Sequence, residues 1–179
     1  MIDGLKSIVK GKENPQIKFT PLPDGEYKVR VEEIKDWVAK DFVDAEINQR
    51  DTDGKIVKDD TGKNVKIKAS FKAYSADITF MILEGDFAGR KIFANVTTHP
   101  DVLFLLEGFL YAVGKTEIML QDLQKECLGK ILGVDIFNRK YTRTKANPLT
   151  GIDETIESTK TAVRSFLKLE LTEDEDSGI

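Results

Sequence analysis

With 179 residues, 27 basic and 31 acidic side chains, a net charge of −4 and 40% hydrophobic residues, the chain has material for one domain of ordinary size with short additions at its ends. A single cysteine, Cys127, excludes an internal disulfide and a cysteine-rich zinc site. The longest apolar run, 102–113, is broken by Glu107 and falls short of the roughly 20 residues that a membrane-spanning helix requires, and the opening residues mix Asp3, Lys6, Lys10 and Lys12 without a signal-peptide pattern, so a protein of the cytoplasm with no membrane partner is expected.

Residues 1–20 read as an N-terminal arm, in which Ile2, Leu5, Ile8 and Val9 approach helical spacing before Gly11 and Pro15 interrupt it. The turn Pro23-Asp24-Gly25 then feeds an alternating strand in which Tyr27, Val29 and Val31 oppose Lys28, Arg30 and Glu32. A second strand is expected over 42–47. The stretch 65–83 reads as one long strand, or two joined by a bulge near Ala73, where the alternation changes phase. Between them, 48–64 is a polar, hairpin-like loop with Asp53-Gly54 and Thr61-Gly62 as turn signals. Another strand spans 91–97. Pro100 suits the first turn of the helix that follows, Thr98 or His99 could cap it, and Gly114 ends it. A shorter helix is expected over 119–128, then strands over 131–141 and 161–171. Strands that do not alternate regularly with helices fit a small barrel better than a parallel sheet. The expected fold is mainly β, an OB-fold (a five-stranded Greek-key barrel) with an inserted helix pair and an extra hairpin over 21–171, followed by a solvated tail over 172–179.

Motifs for bond-making chemistry fail on spacing. Gly108 and Gly114-Lys115-Thr116 are separated by one residue too many for a P-loop and fall in a helix. Asp51, Asp53, Asp59 and Asp60 lack the ligand spacing and flanking helices of a calcium hand, and turn chemistry explains them better. The lone His99 has no neighbouring ligands for zinc and no serine in a nucleophile-elbow context. No enzyme, metal or cofactor is expected.

What remains is a mixture of cations and aromatics. Arg139, Lys140, Tyr141, Arg143 and Lys145 crowd one strand and its loop; Lys66, Lys68, Lys72 and Tyr74 form a second mixture, and Trp37 and Lys40 a third. Phosphates need cations, and unpaired bases need flat surfaces on which to stack. Arg139, Lys140, Arg143, Lys145, Lys66, Lys68, Lys72, Lys40 and Arg30 are therefore candidate phosphate contacts, and Trp37, Tyr74 and Tyr141 candidate stacking platforms. Glu173, Asp174, Glu175 and Asp176 form an anionic tail on a body that is otherwise charge-balanced, and such a tail can compete with phosphates for a basic surface.

Pro23-Asp24-Gly25-Glu26-Tyr27 and the hairpin Ile82-Leu83-Glu84-Gly85-Asp86-Phe87-Ala88-Gly89-Arg90-Lys91 resemble a family of bacteriophage proteins of replication and recombination modules, and the similarity runs over roughly 20–145 through Leu128-Gly129-Lys130. The resemblance implies a phage single-stranded DNA-binding protein of the host-cell cytoplasm, with an OB-fold and an acidic C-terminal tail, working beside phage or host replication and recombination proteins. It departs at the tip, where Ser177-Gly178-Ile179 replaces the aromatic end with which many such tails dock on partner enzymes, and in the long 48–64 insertion. The expected function is sequence-tolerant binding of single-stranded DNA, by a protein compatible with self-association. The rival reading is an accessory module that binds a polymerase or recombinase, which the near-zero charge of the body favours modestly.

Overall fold

The computed structural model describes residues 20–170. The chain forms strands β1 (Gly25–Ile34), β2 (Val38–Asn48), β3 (Lys66–Ile82) and β4 (Lys91–Thr97), then helix α1 (Leu103–Ala112), a 3-10 turn with a short helix α2 (Leu123–Cys127), and strands β5 (Ile131–Ala146) and β6 (Asp153–Leu167). The N-terminal arm, apart from Thr20, and the acidic tail lie outside the described residues.

All strand pairings are antiparallel, and β3 is the spine. Along one edge, residues Lys66 to Ser75 of β3 pair with β2 and Ile78 to Ile82 pair with β1; along the other edge, Ser75 to Met81 pair with β4. Strand β1 continues the sheet to β5, and β5 to β6. The alternation read in β1 is the register observed: Val29 and Val31 are fully buried, whereas Arg30 and Glu32 form an ion pair on the opposite face. The phase change near Ala73 is not a bulge in β3. It marks the point where β3 leaves the shared core for a two-stranded ribbon, and the irregularities sit on its partners, at 31–33 of β1 and 42–45 of β2. Within 48–64 the bridges Arg50–Ile56 and Lys58–Asn64 fold the loop into two small hairpins.

The expected closed barrel is not formed. The six strands make one open sheet in which β4 pairs only with β3 and β6 only with β5. A barrel needs a ladder that joins its last two edges. Helix α1 packs against both β4 and β6 at that place, so its apolar side chains close the inner side of the gap between the two edges. Phe109 of α1, Phe80 of β3 and Phe166 of β6 form the centre of this plug, with ring centroids 6.2, 5.7 and 5.4 Å apart. Each such ring contributes about 1.5–3 kcal/mol by burial. The number and order of strands in a sequence do not encode closure. Helix α1 begins at Leu103 with no side-chain cap, so neither Thr98 nor His99 caps it, and it ends where Gly114 takes φ +81°. The final strand starts at Asp153, well before the expected 161, because the run 153–160 pairs residue for residue with 139–146.

Candidate nucleic-acid interface

Beyond Asn138, β5 and β6 leave the body of the sheet as a long two-stranded ribbon. Leu132, Val134 and Ile136 are buried, so the pleat sends Arg139, Tyr141, Arg143 and Lys145 to the opposite face, about 6.8 Å from one another along the strand. Across the strand pair, Lys160 stands beside Arg139, Ser158 beside Tyr141, Ile156 beside Arg143 and Glu154 beside Lys145. This face thus carries Arg139, Arg143, Lys145 and Lys160 against one carboxylate, and none of these cations has an ion-pair or hydrogen-bond partner among the described residues. Tyr141 is 41% exposed in their midst. Lys140 does not join them. It projects from the other face, opposite Thr159 and between Asn138 and Thr142.

The second predicted mixture is also gathered by the pleat, since Lys66, Lys68, Lys72 and Tyr74 share one face of the β2–β3 ribbon. There the cations meet acids: Asp41 lies 3.8 Å from Lys72, and Glu46 is the cross-strand neighbour of Lys68. Tyr74 is 37% exposed. On the opposite face Phe42 and Phe71 stack at 5.0 Å, with His99 edge-on to both and the Lys40 ammonium 5.0 Å from the Phe42 ring. That cluster ties the ribbon to the turn before α1, where Asp101 also accepts a hydrogen bond from the Asn48 N–H.

Two predicted residues have structural work. The Trp37 indole donates to the Leu120 carbonyl at 2.6 Å and packs on the core, so it anchors the segment before α2. The Arg30 guanidinium grips Glu32 through two hydrogen bonds of 2.9 and 2.8 Å. Neither is brought to the β5–β6 ribbon.

A cleft between β4 and β6 was not foreseen. Two adjoining hollows, of about 490 and 360 Å³, share Phe93, Lys160 and Thr161. Arg90 and Lys91 stand at one end, and Glu33, Lys35 and Asp77 at the other. Phe93 is 67% exposed although it sits in the middle of a strand. The signal was present in the alternation of β4, where Ile92, Ala94 and Val96 turn inward and Lys91, Phe93 and Asn95 outward. Lys160 lines this cleft and neighbours Arg139, so cleft and ribbon face are continuous.

No protein-family model matches the chain, and a search of curated proteins likewise finds no match.

Proposed function

We propose that this protein binds single-stranded DNA with little sequence preference, as the resemblance to phage replication and recombination proteins implies, and that the β5–β6 ribbon is its principal phosphate-contacting surface. One observation supports the reading above the rest: Arg139, Arg143, Lys145 and Lys160 share the face of the ribbon beyond Asn138, where among the described residues Glu154 alone offers a negative charge, with Tyr141 exposed among them. Unpaired cations cost little to present to solvent, and each can exchange condensed counterions for a phosphate. An intervening aromatic suits bases that are not paired with a second strand. The tail residues Glu173, Asp174, Glu175 and Asp176 would compete for the same cations, lowering affinity for short or weak ligands.

The reading is tested by fluorescence anisotropy of labelled oligo-dT and of a matched duplex at low and moderate salt, with the full chain and a chain ending at Leu171. Tighter binding of the single strand, increased by removal of the tail, supports it. Failure of both chains to bind either DNA at low salt removes the proposal and leaves a protein-docking role as the next reading.

A further inference from the structure

We infer that the cleft between β4 and β6 receives an unpaired nucleobase, stacked on Phe93, while the backbone of the strand passes over the cations at its open end toward the β5–β6 ribbon. The inference rests on the proposed single-strand binding and names the residues that would make it selective for unpaired bases. Three observations carry it.

The first is the placement of Phe93. Phe93 is 67% exposed within a strand, and although Phe104 is exposed too, at 58%, it is Phe93 that lines both hollows. Its hollows, of about 490 and 360 Å³, lie within the roughly 300–1,000 Å³ typical of sites for small organic groups.

The second is the gradient of charge along the cleft. Arg90 is engaged with the Thr20 carbonyl at 2.8 Å and lies over the Phe87 ring, but Lys91 and Lys160 have no ion-pair partner among the described residues. At the far end Glu33 and Asp77 stand with Lys35, so the two acids outnumber the one cation there. A phosphodiester is favoured at the first end over the second, which leaves the uncharged base as the part that reaches inward past Phe93.

The third is that two neutral donors lining the cleft are already engaged. Asn95 donates its amide to Asp77 at 2.8 Å, and the Thr161 hydroxyl donates to Asn138 at 3.0 Å. With the Asn95 amide and Thr161 hydroxyl so held, the contact that Phe93 offers is stacking, which every base can make.

The test compares oligo-dT with an abasic backbone of the same length and charge, against the full chain and its Phe93→Ala and Phe93→Tyr variants. Because the ring is exposed, folding should be unchanged, which the melting temperature checks. Phe93→Ala should weaken oligo-dT binding by about 5- to 150-fold, the range of one lost stacking contact, and leave abasic binding unaltered, while Phe93→Tyr should retain affinity. Equal affinity of Phe93→Ala and the parent for oligo-dT, or the same loss on both strands, overturns the Phe93 site and leaves the ribbon proposal standing. No binding of oligo-dT by the parent chain overturns the ribbon proposal itself.

Discussion

The two ribbons that leave the sheet have similar ingredients and opposite electrostatics. Each carries several cations and exposed aromatic surface on a pair of antiparallel strands. On β2–β3 the cross-strand neighbours Asp41 and Glu46 offset Lys72 and Lys68, and the aromatics Phe42 and Phe71 are spent on the contact with His99 that fixes the ribbon to the body. On β5–β6 the neighbours of the cations are Ile156 and another cation, Lys160, with Glu154 the one acid on that face. A basic and aromatic composition therefore says little until the register is known. What separates a charge-compensated ribbon from a cationic one is which residue lies opposite each lysine or arginine.

The sharpest way to break this comparison is to remove cations from each ribbon in turn. Arg139→Ala with Arg143→Ala should lower the slope of log affinity against log salt by about 1.4 units, at roughly 0.7 per phosphate contact on a single strand, which corresponds to about 25-fold weaker oligo-dT binding at 0.1 M salt. The same titration of Lys68→Ala with Lys72→Ala should move the slope by less than half as much, because those ammonium groups already have acid neighbours. Equal slopes for the two double variants would show that cross-strand acids do not matter. In the converse experiment, Asp41→Asn with Glu46→Gln makes β2–β3 resemble β5–β6. Its affinity for oligo-dT should rise by about 2- to 5-fold at low salt and return to the parent value at high salt, the behaviour of an exposed, screened interaction.

The same contrast explains how much of the molecule could be read in advance. Strand β4 was legible to the residue, since its alternation is unbroken and Gly89 and Thr97 bracket it. The basic run 139–145 was legible as a composition, but Lys140 faces away from Arg139 because a strand has two faces, and only the buried trio Leu132, Val134 and Ile136 reveals which is which. Trp37 looked available because its indole tolerates water; its hydrogen bond to Leu120 spans 83 residues of sequence and leaves no local trace. Openness of the sheet was illegible for a similar reason. It accompanies α1 meeting β4 and β6 together, a three-body packing event that no pairwise pattern records.

Trp37 supplies a smaller and independent test of that division between anchoring and binding. Trp37→Phe keeps a ring against the core and removes one hydrogen bond, for a loss of about 1 kcal/mol of stability in urea unfolding. Affinity for oligo-dT at temperatures where the variant is folded should be unchanged. A variant of parental stability with weakened DNA binding would return Trp37 to the stacking residues and make the β1–β2 corner part of the interface.

The least effect, and the one that distinguishes the tips of the ribbons, comes from acid. The β2–β3 tip is built on carboxylates: Asp59 accepts hydrogen bonds from the Thr61 hydroxyl at 2.6 Å and from the N–H groups of Thr61 and Lys63 at 2.8 and 3.0 Å. These bonds, that of the hydroxyl foremost, hold its carboxyl below the usual carboxylate range. A depressed pKa in the folded chain means that the turn is fully supported above the ordinary carboxylate pKa and loses that support as pH falls through the lower, folded value. At the β5–β6 tip the matching acceptor is the Asn147 carboxamide, which takes the Leu149 N–H at 2.9 Å and does not titrate. Amide-exchange protection, measured by NMR relative to the intrinsic rate at each pH, should therefore fall on acidification at Thr61 and Lys63 before it does at Leu149, and Asp59→Asn should abolish the difference. Loss of protection at both tips together would instead mean that the ribbons open as one unit with the body of the sheet, and the separation drawn between them would not hold in solution.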